Sequence, residues 1–88
     1  MKESQIIEFG PIEMAALRLN NQIYVGKTHA QCLVQEPKGV LRCAEQGFVT
    51  KNNIFVDRKT GLEIAQYYNQ IKTKHPPLDE LLSEDLFY

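Results

Sequence analysis

Two asparagines in succession, Asn20 and Asn21, separate two apolar runs, and no other feature constrains the fold of this chain as strongly. Asparagine tolerates the positive φ that the central residues of a tight hairpin require, so the flanking runs are expected to fold back on each other as antiparallel strands. The first run, Ile12 to Leu19, places Met14 and Ala16 on one face and Ala15, Leu17 and Leu19 on the other. A strand apolar on both faces expects cover on both. In the second run Ile23 and Val25 alternate with Gln22 and Tyr24. The hairpin thus spans Ile12 to Val25, and Gly10-Pro11 ahead of it ends any local structure of the first segment.

The rest of the chain continues the pattern. Thr28-His29-Ala30-Gln31 has the form of a capping box, which predicts a short helix carrying Ala30, Leu33 and Val34 inward until Pro37 and Gly39 stop it. Val40 to Glu45 reads equally as a short strand or a helical turn. Gly47 to Thr50, the polar turn Lys51-Asn52-Asn53 and Ile54 to Val56 predict a second, shorter hairpin. Asp57 is placed to cap a helix from Arg58 to about Tyr68, with Gly61, Ile64, Ala65 and Tyr68 as its buried stripe and Asn69 as its stop. His75-Pro76-Pro77 is a stiff extended linker that no helix crosses. The segment 78–88 carries Asp79, Glu80, Glu84 and Asp85 and no basic residue, yet also Leu78, Leu81, Leu82, Leu86, Phe87 and Tyr88. Such an apolar content predicts docking, on its own domain or on a second subunit.

The expected architecture is α+β: a small antiparallel sheet from two hairpins, a short helix, a longer C-terminal helix and a docking tail, with helices on one face. At 88 residues the chain is expected to form a single domain, 1–88, with 1–10 as an N-terminal arm. A chain of this size buries only around 60 to 65% of its unfolded surface, so its core is thin and a partner copy, a dimer or larger, is expected. Ten Lys and Arg against eleven Asp and Glu leave a net charge of -1, too little for an overall field attracting DNA or an anionic membrane. Any anion site must be local. No apolar run reaches the roughly 20 residues of a membrane helix and no signal-peptide pattern is present, which makes the cytoplasm the expected compartment.

Chemistry has few candidates. Cys32 and Cys43 are too few for a disulfide framework and read as free thiols. A metal set of His29, Cys32, Cys43 and His75 can be assembled only from irregular spacings, without a CxxC or HxxxH knuckle, so no metal or cofactor is expected. His29 stands three residues from Cys32 with no third group to orient the pair, and the familiar catalytic motifs are absent. Binding is better supported. Lys27, Thr28 and His29 precede one helix and Asp57, Arg58 and Lys59 open another, where free amides and the helix dipole favour phosphate. Tyr24, Phe48 and Phe55 add planar surfaces for a base. Taken singly, the same residues are an ordinary cap (Asp57), core rings (Tyr24, Phe55) and solvated lysines.

These segments also carry a resemblance. Ile23-Tyr24-Val25-Gly26-Lys27-Thr28-His29, Gln46-Gly47-Phe48-Val49-Thr50, Phe55-Val56-Asp57-Arg58, Ile64-Ala65, Gln70-Ile71 and Leu82-Ser83-Glu84-Asp85-Leu86 follow the order of motifs in a family of small phage and prophage proteins. That family is similar to the first class of Thoeris anti-defence proteins, viral sponges that sequester cyclic ADP-ribose signals made by bacterial TIR-domain enzymes. The resemblance implies a homo-oligomer with sites between subunits and binding without turnover. It implies Phe48 stacked on the adenine, Arg58 on the pyrophosphate, and Lys27 and His29 in place of a basic pair. Lys27-Thr28 departs from the Arg-rich pair common there, which removes one guanidinium fork. The connection from the first helix to Gly47 is also shorter. The rival expectations are a non-catalytic interaction module docking on a host protein through its acidic tail, and, third, a small nucleotide hydrolase.

Overall fold

Asn20 and Asn21 both adopt left-handed backbone, at φ 51° and 67°, and close a tight hairpin between β1 (Ile12–Leu19) and β2 (Gln22–Gly26). The computed structural model describes residues 2–36, 41 and 43–86. Pro37 and Gly39, expected to stop the first helix, and Phe87 and Tyr88 of the tail lie outside them. β1 pairs on its other side with β3 (Glu45–Thr50), which pairs in turn with β4 (Phe55–Asp57). The sheet is antiparallel throughout, in the order β2-β1-β3-β4. Central placement explains why β1 is apolar on both faces: Ala15, Ala16 and Leu17 are all fully buried.

One face of the sheet carries the core. Ala15, Leu17, Phe48 and Val56 turn toward the helices and pack with Ile6, Ile12, Cys32, Leu62, Ile64, Ala65, Leu81 and Leu86. Against this face lies α3 (Arg58–Tyr67), which starts directly from β4 because the Asp57 carboxylate accepts the Thr60 N–H at 2.7 Å. Gly61, Leu62, Ile64 and Ala65 are its buried side, and Asn69, at φ 58°, ends it as expected. Beyond α3 the Gln70 amide both accepts from the N–H and donates to the carbonyl of Ile12, each at 2.8 Å. A side chain there does the work of a neighbouring strand where β1 is irregular, between Ile12 and Met14.

Two local expectations change. The arm at 1–10 contains a helix, α1 (Glu3–Phe9), whose Ile6 enters the core and whose Glu3 accepts the Tyr67 hydroxyl at 2.7 Å. One short helix with a single buried residue leaves almost no periodic signal. The second helix, α2 (His29–Leu33), is capped by Thr28 as expected, but it turns Cys32 inward while Ala30 is exposed, Leu33 is 40% exposed and Val34 80%. Its orientation is set by polar anchors: the Cys32 thiol lies within hydrogen-bonding distance of the carbonyls of Thr28 and Ala15, and His29 reaches β3. Before β3, Leu41 is buried in the core and its carbonyl accepts the Ala44 N–H, which makes that part of the ambiguous segment a turn.

The tail docks on its own domain. Leu81 and Leu86 are core residues, the Leu81 N–H donates to the Arg58 carbonyl, and Ile71 bridges to Leu86. At its centre the Asp85 carboxylate, fully buried, accepts from the Leu82 and His75 amides, the His75 ring and the Lys74 ammonium at 2.7 to 2.9 Å. Lys74 gives its remaining donors to the carbonyls of His75 and Pro77, which fixes the proline turn. No helix among the described residues is long and apolar enough to cross a membrane.

Candidate functional site

β4 hands directly to α3, and this junction leaves an open hollow of about 340 Å³ lined by Glu45, Gln46, Asp57, Arg58, Lys59 and Glu80. The Arg58 guanidinium pairs with Glu80 at 3.3 Å, and Glu45 pairs with Arg18 at 2.6 Å. Asp57 is held below the usual carboxylate range, chiefly by the Thr60 N–H, and so stays an anion at the cap. Two cations, Arg58 and Lys59, occupy the first turn of α3, and no acid does. The dipole of a helix disfavours positive charge there by a few tenths to 1 kcal/mol each.

Two of the expected site residues, Asp57 and Arg58, line the hollow; His29 does not. His29 is not the cation expected of it. Its Nε2–H donates to the Gly47 carbonyl at 2.8 Å, its backbone N–H donates to Ser83 Oγ at 3.3 Å, and its ring meets Phe48 edge to face. Burial lowers its pKa below the ordinary value; the Gly47 bond and Glu84 pull it up and Arg58 pushes it down. His29 therefore ties α2, β3 and the tail together in its neutral form. Its folded pKa lies below the unfolded value, so its contribution to stability is complete above pH about 6.5 and is lost as pH falls from there through the lower folded pKa. Thermal melts between about pH 7.5 and 5 should show the wild type losing more stability on acidification than His29→Gln; parallel losses would remove His29 as the cause.

The remaining expected residues are elsewhere. Phe48 cannot stack on a base: its ring is fully buried beneath α3, where a Cβ on Gly61 would come within 3.1 Å of it. The strand alternation that turns Ala15 inward turns its partner Phe48 inward too. Tyr24 is half-buried against the core on β2, three strand spacings or roughly 14 Å from β4. Lys27 is exposed, and its backbone N–H is held by Gln31 at 3.0 Å. Phe55 lies on the opposite face of the sheet, over Gly47, where a Cβ would collide with its ring and with the Val56 carbonyl. Of the metal candidates, Cys32 is buried with its thiol pushed up by burial, Cys43 is exposed, and His75 is bound to Asp85. Among the described residues no group of three or more His, Cys, Asp or Glu is arranged to hold a metal ion.

Glu45, Gln46 and Glu80 are site residues that sequence reasoning passed over. Only Gln46 stood in a motif, and nothing local joins Arg58 to Glu80, twenty-two positions later. Ser83 and Asp85, seen as parts of an acidic tail, turn out to be buried anchors.

Comparison with known proteins is consistent with a phage origin and does not extend to Thoeris anti-defence. No curated protein and no solved structure matches the chain. The model of the family described as phage T4 y16D protein matches residues 12–87, from the first residue of β1 into the C-terminal segment. The chain belongs to the phage T4 y16D protein family, and is a small phage protein.

Proposed function

We propose that this phage protein acts by binding without turnover, and that its ligand is a nucleotide-class molecule seated in the hollow at the start of α3. The observation that carries the reading is the pairing of Arg58 and Lys59 in the first turn of α3, facing a hollow that also contains Glu45 and Glu80. Two cations at the positive end of a helix are unfavourable alone, and a bound phosphate would offset them. Carboxylates would repel a bare phosphate, but they accept hydrogen bonds from ribose hydroxyls, as acidic residues do in dinucleotide sites. A ligand with both phosphate and ribose suits this lining better than inorganic phosphate. Among the described residues no aromatic ring lines the hollow, so the ribose and phosphate, not the base, would provide the grip. The specific form of this reading is sequestration of a cyclic ADP-ribose-type immune signal in the cytoplasm of an infected bacterium. The absence of turnover is supported by the engaged, neutral His29 and the buried Cys32, neither poised as a base or nucleophile.

The test is uptake and heat release of cyclic ADP-ribose isomers and cyclic oligonucleotides by the purified protein. Ligand recovered intact is expected. Arg58→Ala should weaken binding by about 1.5 to 3 kcal/mol, the range for hydrogen bonds to charged groups, with little change in the melt. Recovery of altered ligand would make the protein a hydrolase. No uptake by the wild type would overturn the reading and favour the interaction module, which could not use Leu81, Asp85 or Leu86, buried within the domain.

A further inference from the structure

Away from the hollow, His75 and Asp85 form a second pair of chemically capable groups. The Asp85 carboxylate is fully buried, and its Oδ1 accepts both the His75 backbone N–H at 2.9 Å and the ring Nδ1–H at 2.7 Å. An ionised carboxylate only accepts, so the ring proton sits on Nδ1 and the lone pair on Nε2. The His75 side chain is 46% exposed, and among the described residues no hydrogen bond reaches Nε2. Lys74 closes the turn behind the ring, donating to Asp85 Oδ2 and to the carbonyls of His75 and Pro77. The chain's other histidine is the reverse case, since the Nε2 of His29 is engaged by the Gly47 carbonyl.

We propose that His75 Nε2 is a nucleophile that accepts a phosphoryl group, with Asp85 as its positioning residue. A buried carboxylate behind Nδ1 fixes the tautomer, raises the basicity of the far nitrogen and stabilises the imidazolium that forms when that nitrogen bonds. The surroundings favour an anionic donor. Lys72 and Lys74 precede the ring by three positions and one, and the Lys72 N–H donates to the Asp85 carbonyl at 2.7 Å, which holds this basic segment beside the pair. The neighbouring acid, Glu84, turns instead to Ser83 Oγ at 3.5 Å. A donor must hold its phosphoryl group as labile as the product does, which points to another N–P compound. In the transfer the Nε2 lone pair forms the new N–P bond and the donor's P–N bond breaks. The donor nitrogen leaves with that electron pair and the proton it already carries. Nδ1 keeps its proton, and Asp85 meets the charge the ring gains. A loose phosphoryl-transfer transition state needs little beyond such positioning and charge. This inference is independent of what the hollow binds.

Incubation of the full chain with potassium phosphoramidate tests it. Intact-mass measurement should show one acid-labile phosphoryl group, placed on Nε2 by phosphorus NMR and absent from His75→Gln. In Asp85→Asn the amide nitrogen belongs at the Oδ1 position, because Lys74 and the Leu82 N–H both donate to Oδ2. It then faces Nδ1 and moves the ring proton to Nε2, which should slow uptake about ten- to a hundredfold. Two-bond proton–nitrogen NMR reads that tautomer change directly, which a mere loss of stability would not produce. If Asp85→Asn does not fold, the comparison is wild type folded against wild type unfolded in urea, with faster uptake expected when folded. No uptake by the wild type, label on His29 or shared between the two ring nitrogens, or an equal rate in folded Asp85→Asn would overturn the proposal. So would a wild type no faster folded than unfolded.

Discussion

Phe48→Ala is expected to cost about 3 to 5 kcal/mol of folding stability, the range for truncating a buried Phe. The ring has no exposed surface, touches the backbone of α3 at Gly61, meets His29 edge to face, and lies beside Leu81 of the tail. Its removal leaves a cavity where the sheet, both helices above it and the tail converge, so no single element can collapse to fill the space. A domain of 88 residues has about 4 to 13 kcal/mol in total, which makes the loss a large fraction of it. With about 4 to 8 °C per kcal/mol for domains of this size, the apo melt should fall by at least about 12 °C. Thermal denaturation of the apo protein decides the matter. A melt within a couple of degrees of wild type would return Phe48 to the role that the phage-protein resemblance implies, a platform for a base.

Phe48 also shows where reading the sequence succeeds and fails. The two hairpins, the Thr28 and Asp57 caps and the Asn69 stop were all legible, because each depends on residues within four positions of one another. What a strand residue does on its face depends on the partner strand, and the pairing of Ala15 with Phe48 joins positions thirty-three apart. The six expected site residues were chosen by chemical type, and of these only Asp57 and Arg58 line the hollow. α2 misled for a related reason. Leu33 and Val34 promised an apolar face, but a five-residue helix is oriented by its anchors more than by its apolar side chains, and His29 and Cys32 hold it.

Asp85 is the opposite case, an acid in an acidic tail that gave no sign of being the tail's anchor, since Lys74 and His75 precede it by eleven and ten positions. Burial raises the pKa of its carboxyl, but the Lys74 ammonium, the Leu82 amide and the ring and amide of His75 outweigh this and bring it down to about 2. Asp85→Ala is expected to cost about 3 to 5 kcal/mol, because it leaves the Lys74 ammonium and two backbone N–H groups without their acceptor in a largely enclosed turn. Asp85→Asn, which keeps the shape and one acceptor oxygen, should cost less. The pH dependence has a definite sign. Because the folded pKa lies below the unfolded value near 3.9, the carboxylate contributes its stability above that pH and loses it as pH falls toward 2, about 2 kcal/mol in all. Denaturant titrations between about pH 5 and 2 should therefore show the wild type losing that much more than Asp85→Asn. Parallel losses, or an alanine variant within about 1 kcal/mol of wild type, would mean that Leu81 and Leu86 hold the tail by apolar packing alone.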